Sequence, residues 1–182
     1  FAIIILIVLL PFLFIVCIIS FFSQGLPIIF FQKRGGYKNK QFMIYKFRTM
    51  VNDAESKLDD LTKMNEQSGP VFKMGNDPRI TSVGKWLRKY SIDELPQLYN
   101  VIKGDMNLVG PRPPIPSEVK RYKPEWHKRL NMKPGITGLW QISGRNEIVD
   151  FDDWVKLDLK YINDWSIKLD FLIICGLNIL FN

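Results

Sequence analysis

A chain of 182 residues holds one domain, or a domain with an anchor, which excludes polytopic transporters and multidomain synthases. It carries 25 Lys and Arg against 18 Asp and Glu, a net charge of +7, and 47% of its residues are hydrophobic, averages that describe an ordinary soluble protein. The averages hide a segregation. No charged side chain occurs in residues 1–32, and Lys33, Arg34, Lys38, Lys40, Lys46 and Arg48 then follow without an acid before Met50. The remainder is nearly neutral, so the excess charge abuts the apolar end, as in a membrane-attached protein whose basic flank meets anionic lipid. Nucleic-acid binding would spread that charge over the folded domain and is rejected. Cys17 and Cys175 both lie in apolar runs and offer neither a disulfide framework nor a zinc site. The chain opens on Phe1 in apolar sequence, and further sequence upstream is expected.

Residues 1–22 are apolar apart from Pro11 and Ser20, and a straight helix of that length would reach ~33 Å, enough to cross a bilayer core. Pro11, at mid-run, removes one backbone bond and bends the helix. Two arrangements follow, a kinked span or a re-entrant helix that returns to its own side. Sequence physics alone prefers the span, because backbone exposed at a turn is costly in lipid. Residues 28–32 and 41–49 read as strands around a basic tip over 33–40, with Lys46 and Arg48 on one face of the second strand. A polar helix is predicted over 53–66, loops at 68–70 and 75–78, a helix over 84–90 and another from Ser91. Ser91 with Glu94 fits a capping box and Asp93 fits an N-cap; either way two acids stand at a helix start. Residues 111–116 are extended and stiff, and 134–145 form a glycine-rich loop. Residues 151–165 form an amphipathic helix, and 171–181 are too short to span.

Adjacent acids differ by about 100° around a helix, so Asp93 and Glu94 can do two jobs around one centre. Acids at helix starts commonly serve only the macrodipole. Here they are surrounded by cations on rigid pieces: Lys46 and Arg48 on a strand, Arg79 and Arg88 upstream, Arg112 between prolines, Arg145 after a glycine. Carboxylates for Mg2+ or covalent attack, with Arg and Lys for oxygens, form the parts list of a phosphoryl-transfer site. His127 is the only histidine, which disfavours a triad or a multi-His metal site. Asp150 and Asp152 make a D-x-D of the kind that holds metal-nucleotide in glycosyltransferases, and a metal-dependent UDP-sugar glycosyltransferase is the rival reading. A non-catalytic membrane scaffold for polysaccharide assembly is the other.

Six segments occur in order: Lys46-Phe47-Arg48-Thr49-Met50, Asp77-Pro78-Arg79-Ile80-Thr81, Ser91-Ile92-Asp93-Glu94-Leu95-Pro96-Gln97-Leu98, Lys103-Gly104-Asp105-Met106, Val109-Gly110-Pro111-Arg112-Pro113 and Lys133-Pro134-Gly135-Ile136-Thr137-Gly138-Leu139-Trp140-Gln141. Together they resemble the bacterial sugar transferase family, the monotopic phosphoglycosyl transferases. The resemblance implies transfer of a sugar 1-phosphate from a UDP-sugar to undecaprenyl phosphate with release of UMP. It places this with Mg2+ at the cytoplasmic face of the bacterial plasma membrane, as the first membrane step of exopolysaccharide, capsule or O-antigen assembly.

It also implies a re-entrant helix broken at its proline, which reverses the preference for a span. The family often has Ser before that proline, where this chain has Leu10-Pro11. Carried over by position, Asp93 is the nucleophile, and Glu94 holds Mg2+ with it or relieves the acceptor of a proton. Lys46, Arg48, Arg88 and Arg112 bind phosphate oxygens, with Arg79, Arg145, Gln97 and Asp158 as further candidates. The expected fold is α+β, mostly α. It has a membrane segment over 1–26 and a cytosolic-face catalytic domain over 27–182, built from a short β-hairpin and helices, some amphipathic and interfacial. The motifs look more like the hexose-phosphate branch than the branch using modified di-N-acetyl sugars. The sequence leaves oligomeric state and upstream membrane helices open.

Overall fold

The structure, a computed structural model, describes residues 2–144 and 148–176. Its first element, α1 (Ala2–Gln24), is by length and composition able to cross a membrane. The helix does not split into two elements at Leu10-Pro11: Pro11 sits inside it on the exposed side. A proline there removes one N–H to the preceding turn, and nothing packs on that side to amplify the bend. The covered positions Ile5, Leu9, Leu13, Val16, Cys17 and Ser20 recur at three- and four-residue spacing, which is one stripe of an α-helix. Ile4, Ile7, Val8, Phe14 and Phe22 face away and are exposed. The stripe faces the domain along its length: Leu13, Val16 and Cys17 join Phe47, Leu87 and Ile92, and Ile5 faces Leu95, Leu98 and Ile174 across an apolar cavity.

The hairpin β1 (Ile29–Gly35) and β2 (Gln41–Phe47) is antiparallel, with Ile29 opposite Phe47 and Gly35 opposite Gln41. Lys33 and Arg34, expected in the basic tip, belong to the strand, and the turn is shorter than the sequence predicts. The helix predicted over 53–66 reduces to Leu58–Leu61 and a 3₁₀ turn, Thr62–Met64. Ala54 alone there is buried up to Met64, so no apolar stripe exists to pay the cost of ordering a helix. Next comes α2 (Ser82–Lys89), capped by Thr81, whose hydroxyl accepts from Gly84 N at 2.9 Å. A Cβ on Gly84 would lie 2.0 Å from Thr49 O, so only glycine lets α2 dock on the exit of β2.

A 3₁₀ segment, Ile92–Gln97, carries Asp93, Glu94 and Pro96 and leads into α3 (Leu98–Lys103). Neither predicted cap forms. Ser91 instead takes the left-handed region (φ 54°) without a side-chain cap bond, and Asp93 lies inside the segment. Within the region predicted as loop, β4 (Gly135–Thr137) pairs in parallel with β3 (Asn107–Val109), and Leu139–Ile142 is helical. The amphipathic helix is α4 (Phe151–Asn163), and α5 (Ile167–Ile174) starts earlier than predicted because Ser166 caps it, accepting from Leu169 N. Residues 177–182, the end of that predicted helix, lie outside the described residues.

Two cores result. Tyr122, Trp126, Trp140, Phe151 and Trp154 form an aromatic one; Val109, Leu139, Tyr161, Leu169 and Ile173 join β3, α4 and α5.

Candidate anion-binding site

Direct cross-strand partners share a sheet face. The hairpin register sets Arg34 opposite Phe42, Gln32 opposite Ile44 and Phe30 opposite Lys46, so Arg34, Gln32, Ile44 and Lys46 look the same way. Arg34, Ile44 and Lys46 line a pocket walled by Glu94 and Gln97, by Arg112 and Pro113, and by Gly135, Ile136, Trp140 and Gln141. Each wall is tied to the hairpin or to its neighbour. The Asn100 side chain, fully buried, donates to Met43 O (2.7 Å) and accepts from Tyr45 N (3.3 Å), which locks α3 to β2 and sets Glu94 over Lys46. The prolines of the segment lack N–H groups but keep their carbonyls. Pro114 O accepts from Gly35 N (2.8 Å) and Pro113 O from Arg34 Nη1 (3.0 Å), so Arg34 and Arg112 meet in one pocket. Gly110 and Gly135 permit a close backbone approach: a Cβ on Gly135 would lie 2.1 Å from Gly110 N.

The electrostatics of the pocket favour an anion. Lys46 Nζ pairs with Glu94 Oε1 at 2.6 Å. Arg112 Nη1 donates to both oxygens of Glu118 (3.1 and 3.3 Å), and Glu118 also accepts from Ile115 N (3.0 Å). Burial works against ionised Glu118, yet Arg112, Arg34 and these hydrogen bonds outweigh it and hold its pKa below the ordinary carboxylate range. Arg34 is 9% exposed, and its buried Nε has no hydrogen-bond partner. Burial first and the Arg112 charge second draw its pKa down to about 9, while Glu118 and Glu94 pull the other way. Three cations, Arg34, Lys46 and Arg112, thus meet two acids, Glu94 and Glu118. An oxyanion would complete the balance, and guanidinium forks suit phosphate geometry.

Asp93 faces elsewhere. Successive residues of a 3₁₀ helix differ by about 120°, so with Glu94 on the pocket Asp93 turns to its flank, where it is buried beside Arg88. Packing lowers the Arg88 pKa and the Asp93 charge raises it in return, and Arg88 Nε donates to Thr49 Oγ1 at 2.8 Å. The two acids thus face different surroundings: Glu94 meets the polar pocket and Asp93 a second cation, Arg88.

Of the residues chosen from sequence, Lys46, Glu94, Gln97 and Arg112 converge on the pocket, with Asp93 and Arg88 adjoining. Three others are corrected. Arg48 does not follow Lys46, because the strand ends at Phe47; its guanidinium donates to the carbonyls of Gln24 and Gly25 at the end of α1 and to Asn52. Arg79 is buried in an ion pair with Asp77 (2.6 Å) and donates to Ala54 O (3.2 Å). Asp158 is 1% exposed on the packed face of α4 and pairs with equally buried Arg129. Arg145 lies outside the described residues.

The rival D-x-D is structural: Asp150 caps α4, accepting from Asp152 N, and Asp152 accepts from Lys123 and from Trp126 Nε1. Sequence reasoning missed Arg34, Gln141 and Glu118. Extending β1 by three residues would have aligned Arg34 with the Lys46 face by period two alone. Glu118 carried no signal, since its role depends on where the proline segment turns. Among the described residues no three His, Cys, Asp or Glu side chains converge as a metal cage.

The domain thus joins a cation-rich pocket to an apolar helix that is by length and composition able to cross a membrane. The chain belongs to the bacterial sugar transferase family, whose model it matches over residues 1–178. It is 57% identical over 152 residues to the galactosyl transferase CpsE of Streptococcus agalactiae serotype III, covering 84% of this chain and 34% of that one. It is 46% identical over 155 residues to the undecaprenyl-phosphate galactose phosphotransferase of Salmonella typhimurium, covering 83% and 32%. With the exopolysaccharide production protein ExoY of Sinorhizobium fredii it shares 41% over 177 residues, covering 95% and 78%. The chain thus spans about a third of the length of the first two relatives and most of the third.

Proposed function

We propose that the chain is a phosphoglycosyl transferase that moves a hexose 1-phosphate from a UDP-sugar to undecaprenyl phosphate and releases UMP, an early membrane step of exopolysaccharide or capsule assembly. The observation that carries this is the pocket of Arg34, Lys46 and Arg112 around Glu94, one residue from buried Asp93. Relatives named for galactose and glucose transfer to undecaprenyl phosphate support the hexose and the lipid acceptor.

In the first half-reaction an Asp93 carboxylate oxygen attacks the sugar-bearing phosphorus, the bond from that phosphorus to the bridging oxygen breaks, and UMP leaves with the oxygen. In the second, a phosphate oxygen of undecaprenyl phosphate attacks the same phosphorus and the Asp93 ester bond breaks, regenerating the carboxylate. Arg34, Lys46 and Arg112 hold the phosphate oxygens, and Arg88 stands beside Asp93. Two half-reactions let one cationic pocket serve two polyanions in turn. Hard carboxylates without imidazole or thiolate suit a Mg2+; Glu94, on the pocket, would hold it, with Asp93 at the pocket's flank. When bound, the ion neutralises charge on the diphosphate and on departing UMP.

For the membrane segment, the reading is a re-entrant helix with the domain on the cytoplasmic face. Support comes from the stripe on α1: a span would carry one end ~30 Å from the domain, whereas Ile5 and Val16 both face it.

Two experiments test these readings. Asp93→Asn in the full chain, reconstituted in lipid, should abolish UMP release from UDP-galactose and UDP-glucose and the covalent adduct seen by mass spectrometry; an active variant ends the assignment. In a background lacking Cys17 and Cys175, Ala2→Cys should react with an impermeant thiol reagent only from the cytoplasmic side, and labelling from outside would mark a span.

A further inference from the structure

Beside the polar pocket lies an apolar cavity of about 230 Å³, walled by Ile5 of α1, Leu95 and Leu98, Leu108 and Ile136, and Ile174 of α5. We propose that it receives the first isoprene units of the polyprenyl phosphate acceptor, an inference that rests on the transfer reaction above. Three observations carry it. The cavity adjoins the site: Ile136 lines both spaces, and consecutive residues divide between them, Glu94 on the polar pocket and Leu95 on the cavity. The pair of spaces therefore has the polarity of an anionic head joined directly to a hydrocarbon. The volume is commensurate, since at about 30 Å³ per heavy atom it holds roughly eight, more than one five-carbon unit. The cavity also lies between the two elements richest in exposed apolar side chains, with Ile7 and Phe14 on α1 and Ile167 and Phe171 on α5, so a chain leaving it enters lipid rather than water.

The arrangement assigns α1 a second task. An anchor needs only its exposed face. Placing Ile5 across the cavity from Leu95 and Leu98 makes the helix a wall of the acceptor site, so that the acceptor is bound by membrane segment and domain together. The same geometry aims the acceptor: with the first isoprene unit held behind Ile136, its phosphate stands among Lys46, Arg34 and Arg112.

The test separates the two half-reactions in the full chain reconstituted in nanodiscs. UMP exchange with UDP-galactose or UDP-glucose needs no acceptor, whereas transfer to undecaprenyl phosphate does. Filling the cavity by Ile5→Trp or Leu108→Phe should raise the acceptor KM about tenfold and leave the exchange rate unchanged, as one extra group in a fitted apolar pocket does. Ile5 is only half-buried, so Ile5→Trp folds even if Leu108→Phe does not. Ile7→Trp, on the exposed face of α1, should change neither quantity. Normal exchange with an acceptor KM unmoved in Ile5→Trp overturns the isoprene site while sparing the transfer reaction. Absence of exchange in the unsubstituted chain overturns both.

Discussion

Two groups of arginines in this molecule obey opposite rules. In the core, Arg129 is matched one to one. It pairs with Asp158, donates to Tyr122 Oη (2.9 Å) and to Arg112 O (3.4 Å), and has aromatic rings of Tyr122, Phe151 and Trp154 around it. In the pocket, the three cations Arg34, Lys46 and Arg112 face only two acids, Glu94 and Glu118. The first group holds the fold and the second awaits a ligand. The difference is one of bookkeeping rather than depth, for Arg34 is almost as buried as Arg79, which its neighbour Asp77 satisfies.

The sharpest way to break the comparison is to unbalance the core. Arg129→Met leaves Asp158 buried and unpaired and should cost about 3–5 kcal/mol in denaturant unfolding, whereas Arg129→Met with Asp158→Leu should recover most of it. If the single variant unfolds like the parent, the pair is not the structural one described. A pocket cation should behave the other way. Arg34→Gln should lower UMP release about 10–100-fold, as loss of charge-assisted hydrogen bonds to an oxyanion predicts, and cost less stability than Arg129→Met. A large stability loss with turnover intact would move Arg34 to the structural group.

Arg48 belongs to neither group. It neutralises carbonyls at the C-terminal end of α1, the negative end of the helix dipole. Arg48→Gln should cost about 0.3–1 kcal/mol and leave turnover per folded molecule unchanged, a result to be checked by normalising UMP release to folded protein. A turnover loss beyond about tenfold would return Arg48 to the phosphate site it was assigned from sequence.

Those assignments show where sequence was legible. Hairpin, α2, α4 and the two adjacent acids follow from periodicity, caps and turn residues, because local physics sets them. Lys46, Arg48 and Arg112 ranked alike in sequence, with Arg79 behind them, since each is a cation on a stiff segment. What separates them is whether an acceptor comes close in space: Asp77 two residues away for Arg79, the end of α1 for Arg48, Glu118 behind Arg112. Only the first of these was within local reach. The parallel β3–β4 pairing was hidden for a similar reason: three-residue strands joined by a long connection carry no periodicity of their own. Asp158 was the opposite case, for an acid on the apolar stripe of an amphipathic helix already announces a buried partner rather than a ligand.

The smallest expected effect is the most discriminating, because the two groups should titrate with opposite sign. Burial raises the Asp158 pKa to about 6, with Arg129 pulling it back only in part. Between that value and the unfolded value of ~3.9 the native chain binds more protons than the unfolded one, so the Asp158 contribution to stability grows as pH falls from 6 toward 4. Glu118 is held below its ordinary value by Arg112 and Arg34 against the cost of burial, so the native chain binds fewer protons there. Its contribution is complete above ~4.3 and is lost as pH falls further. Difference curves against the parent isolate each term from the exposed carboxylates. Glu118→Gln should remove a loss confined to the acid side of pH 4.3, and Arg129→Met with Asp158→Leu should remove a gain between pH 6 and 4. Were both difference curves to slope the same way, the two buried carboxylates would share one electrostatic environment, and the division between a balanced core and a cation-rich pocket would fail.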